Sequence, residues 1–128
     1  MTDLPSSIEK IASEITAKHA VEVDGGAFPT NTIDSLRDAG LLGFTTAKEF
    51  GGLGQGLRGA AGIVERLARE CASSAMVMCM HYSGVAVLEQ YGSDEIRRSV
   101  ANGQHLSTLA FSESGSRSHF WAPLGTDR

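Results

Sequence analysis

Cysteine is scarce in this chain, charge is never concentrated, and no apolar run approaches the length of a membrane span. Two cysteines in 128 residues, Cys71 and Cys79, exclude a disulfide framework and supply no metal-ligand signature. Both fall in apolar helical stretches, where reduced, packed thiols of a cytoplasmic protein are the expected state. The longest apolar run, Ala75 to Met80, is far short of the roughly 18 to 20 residues that cross a bilayer. Lys and Arg are scattered and the net charge is -4, which argues against a nucleic-acid surface. No basic stretch precedes an apolar one at the start, so a signal peptide is not expected. No internal repeat or low-complexity segment is visible.

What is present is ordinary for one globular domain: 41% hydrophobic, 20% charged, and 15 glycines to make loops and caps. Ile8, Ile11, Ala12 and Ile15 recur at helical spacing within "DLPSSIEKIASEITAKH", with Ser6 or Ser7 as cap. "VEVDGGAFP" then reads as a loop. "TNTIDSLRDAGLLGF" predicts a second helix capped by Thr30 or Asn31, burying Ile33 and Leu36 and ended by Gly40. "TTAKEFGGLGQGLRG" is glycine-rich, but no strand precedes it and no Lys-Ser/Thr follows, so a connecting loop fits better than a phosphate cradle. "LRGAAGIVERLARECA" places Leu57, Ala60, Ala61, Val64, Leu67, Ala68 and Cys71 on one face.

"SAMVMCMHYSGVAVLEQYG", capped by Ser73 or Ser74, is apolar nearly all round and should be the buried centre of a bundle. Within it His81 reads as a packed histidine bonded to a carbonyl, and Glu89 as a residue of the wet end. Ser93 caps a last helix that closes at Asn102-Gly103. After five helices the period changes: Leu106 to Phe111 alternates like a strand. A lone strand has no sheet, so either it pairs with something outside this chain or the chain is the front portion of a longer product. Glu113, just beyond, reads as an exposed turn carboxylate or an ion-pair partner.

The ordered set of motifs resembles the N-terminal part of the acyl-CoA dehydrogenase superfamily. "FPTNTIDSLRDAGLLGF" is similar to its "FP…L…GL.G" helix, and "KEFGGLG" to its "EEYGGLG"-type loop. "MHYSGVAVLEQYGSDEIRRSVANGQHLSTLAFSES" resembles the family's run into "A.TEP..GSD". The likeness extends from about Phe28 to Ser118. It implies a mainly α fold: an N-terminal helical bundle over residues 1–104, ending in the first strand of an incomplete β-domain over residues 105–128. It further implies a cytoplasmic, homotetrameric FAD enzyme that removes an α-proton from an acyl-CoA and passes a hydride to flavin N5.

On the same resemblance, Leu109, Phe111 and Ser112 line the flavin and Ser118 meets both cofactor and substrate; Arg117, a departure from the family, reads either as a further substrate contact through phosphate or carboxylate or as a surface arginine. A strand end leaves amides free to stabilise a reduced flavin edge, and the Ser112 hydroxyl can donate or accept. The family's proline is Ser114 here, its glycine Arg117 and its aspartate His119. That departure favours comparison with flavin-dependent monooxygenases of the same fold. The family's catalytic glutamate has no counterpart in this chain, so the chain alone is expected to bind FAD weakly and not to turn over. It is then either a fragment or a truncated homologue, and a non-catalytic helical association module is the alternative.

Overall fold

The computed structural model describes residues 5–110, 112–116, 119, 122 and 124. Its first rod is one long helix in three parts. α1 (Ser6–Lys10) runs through a π-helical stretch, Ile11–Thr16, into α2 (Ala17–Asp24). The expected side-chain cap is absent; Pro5 precedes the helix instead, where its fixed φ suits a helix start. The helix also continues past the expected end, taking Val21 to Asp24 with it and stopping at Gly25. β-Branched valine is a mild helix penalty, and burial of Val23 outweighs it. The π turn widens the helix where Ile11, Ala12 and Thr16 are buried. There the Thr32 hydroxyl of α3 (Thr30–Asp38) donates to Thr16 Oγ1 at 3.1 Å.

α3 ends at the expected glycine. Gly40 has φ 72, a left-handed conformation that glycine adopts without penalty. Two 3-10 turns follow, Leu41–Gly43 and Lys48–Phe50. α4 (Leu57–Ala68) and α5 (Ala72–Tyr91) then form an antiparallel pair, and α6 (Asp94–Ala101) closes the bundle. Ser93 caps α6 as expected, accepting the Ile96 amide at 3.3 Å. The cap of α5 is corrected: Cys71 occupies that position, and Ser74 is buried inside the helix.

Ile8, Ile33, Leu36, Leu41, Leu42, Phe44, Ile63, Leu67 and Met78 form one continuous core. On α4 the buried face is Gly59, Ala60, Ile63 and Leu67, rotated from the expected one. Leu57, at 63% exposed, and Ala61 fall outside it. α5 is likewise not enclosed: Met76, Val87 and Tyr91 are exposed. Among the described residues no strand forms, and residues 104–110 run without regular structure. Their exposure still alternates with period two, so the strand pattern survives without a ladder partner.

Candidate functional site

Two features that sequence reading separated, the glycine-rich loop and the closing segment, are both held by α5. In the loop, the amides of Leu53, Gly54 and Gln55 donate to the carbonyls of Gly43, Thr46 and Phe44 at 3.0, 2.8 and 2.9 Å. The amides of Gly51 and Gly52 donate to Lys48 and Ala47. With these donors already engaged, the loop has no row of N–H groups to offer a phosphate. The connecting-loop reading stands.

Glu89 anchors that loop, which corrects its expected place at the wet end. Its Oε2 accepts the Ala47 amide at 3.1 Å and its two oxygens take the Arg97 guanidinium at 3.0 and 3.2 Å. The carboxylate beside it is the main cause that holds the Arg97 guanidinium protonated above its ordinary range. Arg97 also lies 3.8 Å over the Phe50 ring of the loop. Sequence reading missed this clamp because its three parts come from α5, α6 and the loop. A carboxylate inside an otherwise apolar helix was the available signal.

His81 is fully buried, as a packed histidine should be. Nε2 lies 2.8 Å from the Leu42 carbonyl oxygen, and Nδ1 lies 3.0 Å from the Ser107 amide nitrogen. Burial holds this imidazole below its ordinary pKa, with the nearby His105 acting in the same direction and the Leu42 bond opposing both. Beside it the Tyr82 hydroxyl donates to the Leu41 carbonyl at 2.8 Å, and burial pushes its pKa well up. Consecutive residues of α5 thus hold consecutive carbonyls of the 3-10 turn.

The Ser107 bond carries the closing segment onto α5. Among the described residues, Ser107 is the one member of 106–110 with a hydrogen-bonded amide. The approach is close because residue 84 is glycine: a Cβ there would stand 2.6 Å from Ser107 Oγ and 2.9 Å from its Cβ.

Of the expected site residues, Leu109 is half-buried and Ser112 exposed, on opposite rows of the alternation. Leu109 shares the inner row with Ser107, and Ser112 the outer row with Leu106, Thr108 and Ala110. Phe111, Arg117 and Ser118 lie outside the described residues. Beyond Ser112, the chain turns through Glu113–Ser116, closed by the Ser116 hydroxyl on the Glu113 carbonyl at 2.9 Å. Glu113 is half-buried rather than exposed, and its carboxylate accepts the Leu124 amide at 2.6 Å.

Two apolar grooves flank α5. One, of about 340 Å³, lies between Phe28, Met76, Met80 and Leu106; the other, of about 480 Å³, between α4 and α5, is bordered by Val64, Cys79 and Ala86. Cys71 and Cys79 are both free thiols, the first buried and the second half-buried. No group of three potential metal ligands occurs among the described residues, and no helix among them is long and apolar enough to cross a membrane.

The architecture is thus a helical scaffold that pins a glycine-rich loop and an outgoing segment on one central helix. The model of the acyl-CoA dehydrogenase N-terminal domain matches residues 2–103, and the chain belongs to that family. It is 31% identical over 100 residues to a 3-sulfinopropanoyl-CoA desulfinase of Paraburkholderia xenovorans, covering 77% of this chain and 26% of the relative. A probable acyl-CoA dehydrogenase of Mycobacterium leprae is 29% identical over 77% of this chain and 25% of its own. An acryloyl-CoA reductase (NADH) of Anaerotignum propionicum is 26% identical over 83% and 26%. The chain therefore spans about a quarter of the length of the relatives it matches. No solved structure matches it.

Proposed function

We propose that this chain is the amino-terminal helical part of an FAD-dependent oxidoreductase of the acyl-CoA dehydrogenase type, acting on an acyl-CoA thioester. The observation that carries the reading is the family match over residues 2–103 joined to a pinned segment that leaves the bundle at residue 104. In this reading residues 1–104 are the helical domain and 105–128 open the β-domain. The whole protein is a cytoplasmic homotetramer.

The described residues suit one edge of an isoalloxazine. The amides of Leu106, Thr108, Leu109 and Ala110 have no hydrogen bond among the described residues, and Ser112 is exposed on the outer row. Such amides can bond a carbonyl edge or a pyrimidine nitrogen, and a hydroxyl can follow either redox state. Flavin, when bound, supplies the hydride acceptor. Ser112 and the outer-row amides position it, Leu109 closes the inner side, and Phe111, Ser118 and Arg117 complete the cofactor and acyl-carrier contacts. The base that removes the α-proton comes from outside this chain.

The test is spectroscopic. Protein carrying this sequence, purified from its source, should show flavin absorbance that bleaches under anaerobic titration with an acyl-CoA. Protein that is colourless and gains no flavin on reconstitution refutes the reading. One observation favours a second reading, an association module: a row of unbonded amides is also the edge that strand addition uses. Under that reading the chain elutes as a complex or self-associates, whereas a flavin-free monomer refutes it.

A further inference from the structure

A carbonyl oxygen can only accept, so the 2.8 Å contact to Leu42 places the proton of His81 on Nε2. Nδ1 is then a lone-pair acceptor, and the Ser107 N–H donates to it at 3.0 Å. A single neutral tautomer satisfies both partners, and the fully buried ring has no water to substitute for either. Three residues along the same helix, the missing side chain at Gly84 lets Ser107 and Thr108 lie against α5.

The consequence is geometric. Side chains of a period-two segment alternate faces, and a slip of one residue inverts every one of them. With Ser107 fixed inward, Leu106, Thr108, Ala110 and Ser112 fall outward and Leu109 inward, as their exposure records. No other amide of 106–110 is hydrogen-bonded among the described residues, so nothing else of that kind sets the register.

We infer that His81 is a positioning residue whose Nε2–H tautomer locks Ser107 onto α5 and so determines which residues of the 106–112 segment face outward. The lock itself stands on the hydrogen bonds; its bearing on a cofactor, through Ser112, rests on the function proposed above.

Two substitutions separate the two bonds. In His81→Asn the amide oxygen stands near the place of Nδ1 and can still accept from Ser107, while the Leu42 contact is lost. In His81→Gln the amide nitrogen reaches the place of Nε2 and keeps Leu42, while the Ser107 acceptor is lost. Hydrogen exchange of the Ser107 amide in the 128-residue chain should stay near wild type in His81→Asn and accelerate roughly tenfold, equivalent to about 1.4 kcal/mol, in His81→Gln. A merely space-filling histidine predicts equal exchange in both variants, and that result overturns the lock.

The wild-type protein offers a check that needs no variant to fold. Nitrogen-15 spectra should show a protonated Nε2, a bare Nδ1 and a scalar coupling between Nδ1 and the Ser107 nitrogen. A protonated Nδ1, or no coupling, refutes the inference. FAD titration of the complete protein in its wild-type, His81→Asn and His81→Gln forms reads the second half. Weaker binding by His81→Gln than by His81→Asn supports the link to the cofactor. No binding by any of them, with the coupling present, overturns the flavin reading and leaves the lock in place.

Discussion

Adding one methyl group at Gly52 should unlock the glycine-rich loop. A Cβ at that position would stand 2.1 Å from the Thr46 carbonyl oxygen, 2.6 Å from its carbonyl carbon and 2.6 Å from its Cβ. Ordinary non-bonded carbons sit roughly 3.5–4.0 Å apart, so the loop must retreat by more than an ångström. Thr46 cannot give way, because it is fully buried. Retreat breaks the bonds from Leu53, Gly54 and Gln55 to Gly43, Thr46 and Phe44. Each backbone bond is worth about 1 kcal/mol net, and forced overpacking costs about 1–3 kcal/mol. With all three bonds broken, Gly52→Ala is therefore expected to lose about 4–6 kcal/mol, a large part of the 5–15 kcal/mol typical of a domain.

Urea unfolding followed by far-UV circular dichroism measures the loss as a lower midpoint at unchanged slope. The control lies in the same loop. Nothing approaches a Cβ at Gly56, which caps α4 with φ -84 and ψ 167. Gly56→Ser supplies a cap acceptor there and should be neutral or stabilising by a few tenths of a kcal/mol. If Gly52→Ala unfolds within about 0.5 kcal/mol of wild type, the ordinary range for surface changes, the tight-packing argument for this loop is wrong.

Glu89→Ala leaves the Ala47 amide without its acceptor and should cost about 1–3 kcal/mol by the same assay. Glu65→Ala, which removes an exposed i,i+4 pair with Arg69, should change little. Stability should also fall on acidification below pH 6.5. The His81 pKa is held below 6.5 in the folded state, so the unfolded chain binds the extra proton first. The slope is at most about 1.4 kcal/mol per pH unit, ends at the folded-state pKa, and should be missing from His81→Asn. The charge that acts on this ring is that of His105 of the closing segment, while Tyr82 of its own helix meets it as a tilted ring. Glu9 titrates in a separate window: the Arg66 guanidinium holds it below 4.5, so its contribution is present above that pH and is lost further down. Finally, Ser112→Ala should weaken flavin affinity several-fold in the complete protein while leaving the unfolding midpoint unchanged, since the side chain is exposed and makes no hydrogen bond among the described residues.

What could be read from the sequence was whatever depends on neighbours along the chain. The core positions Ile8, Ile33, Leu36 and Leu67, the stop at Gly40 and the cap at Ser93 follow from spacing and local chemistry, and all are found. Capping at Ser6 and Ser74 failed because serine competes with other ways of starting a helix. Pro5 supplies a preset φ in one case, and the extended backbone at Cys71 ends the preceding turn in the other. The face of α4 was misjudged because Leu57 and Val64 are apolar and Gly59 is not counted as such, yet the residues the helix buries are Gly59, Ala60, Ile63 and Leu67.

The site was harder to read for a related reason. Glu89 acts on Ala47, and His81 acts on Ser107, across separations that no local pattern encodes. Gly84 was the visible sign. A glycine inside a long apolar helix costs about 1 kcal/mol against alanine, and its retention implies that something passes close by. What passes is the segment carrying Ser112, which is why one helix both anchors the glycine-rich loop and sets the direction of the chain leaving the bundle.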